Sequence, residues 1–136
     1  MAANTSAIFT AVPNTSIGTA MLTGTNTYTG TSGTTVLFTA GTNGSYVQKI
    51  VLEAQGTNIA SVIRIFVNNG STSGTATNNS LFTQFTLPAT TATATAATQH
   101  IEIPLNIQLA ASYTIIGVLA TTVASGWTPT TIGGNY

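Results

Sequence analysis

The run His100-Ile101-Glu102-Ile103-Pro104-Leu105-Asn106-Ile107-Gln108-Leu109 alternates polar and apolar residues from end to end. Successive side chains of an extended chain point to opposite faces. One face therefore carries Ile101, Ile103, Leu105, Ile107 and Leu109, and the other His100, Glu102, Pro104, Asn106 and Gln108. That pattern reads as a half-buried β-strand. Pro104 has no backbone donor, which predicts a sheet edge or a bulge at that point.

Upstream and downstream the chain repeats this theme. Thr35 to Ala40 is a short apolar run closed by the turn-like Gly41-Thr42-Asn43-Gly44. Tyr46 to Ala54 follows, with Ile50, Leu52 and Ala54 on one face and Val47, Lys49, Val51 and Glu53 on the other. Ser61 to Asn68 places Ile63, Ile65 and Val67 inward and Val62, Arg64, Phe66 and Asn68 outward. Leu81 to Leu87 sets Leu81, Thr83, Phe85 and Leu87 on one face and stops at Pro88. Tyr113 to Thr121 reads as a buried strand, and a last strand surrounds Trp127. Between them lie an Asn/Gly/Ser/Thr loop (68–80) and an almost pure Ala/Thr stretch (89–98), read as a loop or a flat edge strand. The turn signal Gln55-Gly56-Thr57-Asn58 predicts a hairpin about Thr57-Asn58, which brings Glu53 within cross-strand reach of Arg64. An exposed pair of that kind contributes about 0–1 kcal/mol, so it marks register more than it stabilises.

No segment has helical periodicity. Short strands with turn signals about every ten residues predict an all-β fold, an antiparallel β-sandwich of jelly-roll-like or immunoglobulin-like type. At 136 residues the chain is the size of one domain. Residues 1–34, rich in Thr, Asn, Gly and Ser and broken by Pro13, Gly18, Gly24, Gly30 and Gly33, are expected to form an extended N-terminal arm with one or two short strands. Residues 35–136 are expected to form the sandwich.

Composition narrows the function. Charged residues make up 3% of the chain, against about 25% in an ordinary globular domain. The formal net charge is zero and cysteine is absent. Disorder is a poor account of this, because disordered chains are usually apolar-poor and highly charged. A free small domain with zero net charge tends to associate, whereas interface cores are depleted in charge. The composition therefore favours a member of a large assembly. The N-terminus has neither a basic region nor a long apolar run, so neither a standard signal peptide nor a membrane anchor is expected.

Chemistry is sparse. His100 and Glu102 share an outward strand face, which favours a solvated pair over a nucleophile's base and its orienting group. Glu53 and Glu102, on different strands, are not expected to converge as a glycosidase pair. Three ligands of this kind are few for a tight metal site, and no phosphate loop is present. Lys49 and Arg64 neutralise at most about two phosphates, where nucleic-acid binders contact roughly 6–10. No enzyme activity, cofactor or metal, and no nucleic-acid or membrane partner, is therefore expected. Asn-x-Ser/Thr matches begin at Asn4, Asn14, Asn43, Asn69 and Asn78, a yield this composition gives by chance. Trp127 is read as a core plug or as an interface anchor. Candidate interface residues are Ile8, Phe9, Val12, Ile17, Met21, Leu22, Trp127 and Tyr136.

Two stretches carry a family resemblance. The first is Ala40-Gly41-Thr42-Asn43-Gly44-Ser45 leading into Val47 to Ala54, then Gly56-Thr57 and Val62 to Phe66. The second is Ile107-Gln108-Leu109, Tyr113-Thr114-Ile115 and the closing Gly133-Gly134-Asn135-Tyr136. Together they resemble small virion proteins of tailed bacteriophages of the capsid decoration (cement) type, over residues 35–136. That family often ends in Gly-Gly-Asp-Tyr; here Asn135 replaces the acid. The resemblance implies a viral structural protein on the capsid surface of the virion, bridging capsomers. Its partners would be the major capsid protein and copies of itself, a homo-oligomer for which trimers are common. The expected mechanism is strand addition by residues 1–34 to a neighbouring subunit, multiplied by the lattice. The alternative is a receptor- or glycan-binding module of a phage tail fibre or surface appendage.

Overall fold

Eight strands follow one another along the chain: β1 (Val12–Ile17), β2 (Thr34–Thr39), β3 (Ser45–Ala54), β4 (Ser61–Asn68), β5 (Asn79–Leu87), β6 (His100–Leu109), β7 (Thr114–Leu119) and β8 (Trp127–Asn135). The computed structural model describes residues 10–136. Among them the only helical element is a single 3₁₀ turn, Ala76–Asn78. Among the described residues no helix is long and apolar enough to cross a membrane.

The strands form two four-stranded sheets, in the orders β1-β8-β3-β6 (sheet A) and β2-β7-β4-β5 (sheet B). Every pairing is antiparallel. The core lies between them. Sheet A contributes Val47, Ile50, Leu52, Ile103, Leu105, Leu109 and Trp127; sheet B contributes Leu37, Phe38, Ile63, Ile65, Leu87, Ile115 and Leu119. This is the expected all-β, two-layered arrangement. Full burial of each such apolar side chain stabilises by roughly 1.5–3 kcal/mol relative to exposure.

β6 spans the predicted residues and lies at the edge of sheet A. It is also bulged: Val47 pairs with Ile107 and Lys49 with Pro104. The irregularity corrects one facing assignment. Against β8, the extra residue Gln48 falls between Val47 and Lys49, so Val47 turns inward and is fully buried. A bulge at Phe82 acts likewise on β5, where Thr83 pairs with Ile65 but Leu81 with Phe66. Leu81 thus joins the outer face instead of the face of Thr83 and Phe85.

The hairpin expected about Thr57-Asn58 does not form, because β3 belongs to sheet A and β4 to sheet B. Both strands bury an apolar face in the same core from opposite sides, so their outer faces point away from each other. The connection is fixed by Asn58, which is buried. Its Oδ1 accepts from the backbone N–H groups of Ser125 and Gly126, each at 2.8 Å. Its Nδ2 donates to the Gly126 carbonyl at 3.2 Å.

The segment expected as an extended arm along a neighbouring subunit instead lies along its own domain over residues 10–34, and β1 is one of the short strands expected in it. β1 completes sheet A by pairing with β8 from Val12↔Asn135 to Ile17↔Thr130. The chain then rounds the rim, where Met21 bridges Trp127, and crosses the outer face of sheet B as a strap before entering β2. Thr25 N–H donates to the Leu119 carbonyl at 2.7 Å. Asn79 Nδ2 donates to the carbonyls of Thr29 and Gly30, both at 3.0 Å. Beneath the strap lie Phe66, Ile116 and Val118, a buried apolar cluster on the outer side of sheet B. Gly30 has φ +64°, and a Cβ there would come within 3.1 Å of the Phe66 ring. Both conformation and proximity therefore call for glycine.

Candidate functional site

Four of the chain's five Lys, Arg, Asp, Glu and His side chains meet on the outer face of sheet A. Register places them: Glu53 lies opposite His100, and Val51 opposite Glu102, across the β3–β6 ladder. Lys49 Nζ donates to Glu102 Oε1 at 2.7 Å. His100 Nδ1 contacts Glu53 Oε1, and its Nε2 lies 3.6 Å from Glu102 Oε1. A neutral imidazole has one donor nitrogen and one acceptor. With a carboxylate facing each nitrogen, the ring suits both neighbours only as imidazolium.

The electrostatics follow. The hydrogen bond with Glu53 is the main cause that raises the His100 pKa above its ordinary 6.5; desolvation opposes it, and the Glu53 charge and Glu102 add to it. The hydrogen bond from Lys49 is the main cause that lowers Glu102 below its ordinary 4.5. All four side chains are reached by solvent. With His100 protonated the two cations and two carboxylates cancel; with it neutral the cluster carries one net negative charge.

Spacing on β6 alone pairs His100 with Glu102. Lys49 and Glu53 join them because β6, and not β4, is the neighbour of β3. Two carboxylates thus do share one face, contrary to expectation, but with an imidazole between them. The Glu53–Arg64 pair does not exist. Among the described residues no group of three or more His, Cys, Asp or Glu is arranged to hold a metal ion.

Arg64 is on the outer face of sheet B, 4% exposed beneath the strap. Its Nη1 donates to the Thr27 carbonyl at 3.2 Å and its Nη2 to Asn26 Oδ1 at 3.0 Å. The guanidinium carbon stands 3.8 Å from the Tyr28 ring centroid, a cation–π contact. Its Nε has no hydrogen-bond partner. The charge is held by carbonyl and amide oxygens and an aromatic face in place of a carboxylate.

The candidate interface residues separate into groups. Val12, Ile17 and Leu22 are exposed, Ile17 by 81%, and Tyr136 is half-buried. Met21 and Trp127 are buried in the core and are withdrawn as surface anchors: the rim that Met21 closes is the one Trp127 fills. Ile8 and Phe9 lie outside the described residues. A shallow cavity of about 290 Å³ opens between residues 20–23 and 33–35 and is lined by no ionisable side chain. Comparison with family models, with curated proteins and with solved structures finds no match for this chain.

Proposed function

We propose that this chain is a viral structural protein that decorates the outside of a tailed-phage capsid and stabilises it by bridging capsomers. The sandwich is read as a jelly roll. Its strands pair as β1–β8, β2–β7, β3–β6 and β4–β5, a nested hairpin folded into two sheets. That supports jelly-roll over immunoglobulin topology, and jelly rolls recur in capsid and lectin domains. Fold alone does not assign function.

The observation that carries the reading is the state of the charges. Lys49, Glu53, His100 and Glu102 are paired with one another in one cluster, whose charges cancel when His100 is protonated, and Arg64 is withdrawn under the strap. What remains for contact is a neutral surface of Thr, Ser and Asn with isolated apolar side chains such as Ile17 and Val36. Such a surface costs little to desolvate against another protein, since stranding ions is the expensive part of burial. Many weak contacts on a fixed lattice add through effective concentration. In this reading the chain is non-catalytic, needs no cofactor, and works at the virion surface with the major capsid protein and its own copies as partners.

Bridging is assigned to the assembled surface and not to residues 10–34 as a detached arm, since β1 and the strap are committed to their own sheets. The test is co-sedimentation of the purified chain with empty phage shells. Saturable binding that withstands washing supports the proposal. Binding to host cells or glycans but not to shells would reject it.

A further inference from the structure

We infer that the free edge of β5 is a self-association surface that pairs antiparallel with β5 of a second copy, joining the two B sheets across a two-fold axis. The inference is independent of the capsid reading. It comes from comparing the sandwich's four sheet edges, since an unpaired edge presents backbone N–H and C=O groups that template another strand unless it is guarded.

Three edges are guarded. β6 carries Pro104, a bulge and the charged pair His100 and Glu102, so a two-fold copy would set like charges close together. β1 has six residues, includes Pro13, and lies close to β2 of the other sheet. β2 also has six residues and is broken by a bulge between Val36 and Phe38.

β5 differs. It has nine residues, Asn-Ser-Leu-Phe-Thr-Gln-Phe-Thr-Leu, with neither a charge nor a proline. Among the described residues its only strand partner is β4. The bulge at Phe82 interrupts it once, leaving Thr83 to Leu87 in unbroken register with Ile65 to Ser61. Leu81 and Phe82, consecutive at the bulge, are both exposed, Phe82 by 45%. A second copy suits the edge because antiparallel pairing about a two-fold axis meets itself. Every cross-strand pair is then neutral, Thr, Gln, Ser or apolar, and such pairs are favourable in sheets. The chain's zero net charge adds no long-range repulsion between copies.

The experiment is sedimentation velocity of the full chain from micromolar to millimolar concentration, with amide exchange of β5 followed in parallel. The expected result is a monomer–dimer equilibrium in which β5 amides gain protection as dimer forms. Phe82→Lys/Thr86→Lys, at two exposed positions, is expected to weaken dimerisation by about tenfold or more. Gln48→Lys/Gln108→Lys adds the same charge on sheet A and is expected to leave it unchanged. Circular dichroism melts establish that each variant is folded. A wild-type chain that stays monomeric, a dimer whose β5 amides exchange as in the monomer, or equal weakening by both variants would overturn the inference. So would β5 protection acquired only on phage shells, which would give the edge to a shell strand.

Discussion

Phe66→Ala tests whether the strap belongs to the folded unit. Phe66 lies on the outer side of β4, where an uncovered sheet would leave it in water. In the structure it is fully buried, beneath the Gly30 backbone and beside Ile116 and Val118. Truncating a buried Phe to Ala costs about 3–5 kcal/mol. Unfolding entropy near about 2.1 cal/mol/K per residue, over 136 residues, amounts to roughly 0.29 kcal/mol/K. The expected fall in Tm is therefore about 10–17 °C, read by thermal circular dichroism or calorimetry. Gly30→Ala in the wild-type background incurs both left-handed strain and the clash with the ring. In the Phe66→Ala background only the strain, about 1–2 kcal/mol, should remain. A Tm loss of about 2 °C or less for Phe66→Ala, the size of an ordinary surface substitution, would refute the reasoning, as would simple additivity of the two changes.

The remaining predictions follow from the same contacts. NMR titration should place the His100 pKa above 6.5, with Glu53→Gln lowering it more than Glu102→Gln; a value at or below 6.5 contradicts the two-carboxylate arrangement. A raised His100 stabilises fully below 6.5 and loses that contribution as pH rises through its folded value, while a lowered Glu102 stabilises fully above 4.5 and loses it as pH falls through its own. The cluster should thus support the β3–β6 edge best between those two pH values, by an amount kept small by solvent. Tyr28→Ala should cost about 0.5–2 kcal/mol in the presence of Arg64 and less in an Arg64→Met background, where no cation remains to stack; equal costs in both backgrounds would remove the cation–π contact from the account. Deleting residues 1–33 should abolish cooperative unfolding, because it uncovers Arg64, Phe66 and the Trp127 rim; a melt close to that of the full chain would show the segment to be dispensable.

Strand existence was legible because alternation is a local property. β4 and β6 have their expected bounds, and β7 is apolar on both faces because the core lies on one side and the strap on the other. Sheet membership was not legible. The turn before Ser61 looks like a hairpin turn, and nothing local tells a chain returning to its own sheet from one crossing to the other. That single ambiguity hid the charge cluster, since Lys49 and Glu53 meet His100 only once β6 is the neighbour of β3. Bulges at Gln48 and Phe82 escaped alternation, because one inserted residue reverses facing without changing composition. The segment before β2 read as an arm reaching a neighbouring subunit because its Thr, Asn and Gly residues hold the sheet mainly through backbone carbonyls, as at Thr27, Thr29 and Gly30. A hydropathy pattern does not register such contacts. Trp127 was legible as a core plug, the first of its two readings, and it is fully buried beside Met21.

The central claim is that a neutral, internally charge-matched sandwich lies on the outside of a phage shell. Cryo-electron microscopy of the phage particle that encodes this chain tests it most directly. The account predicts density for the two-sheet domain at repeated positions on the outer capsid surface, touching more than one capsomer. An outer surface without the domain, or its density confined to the tail, would contradict it.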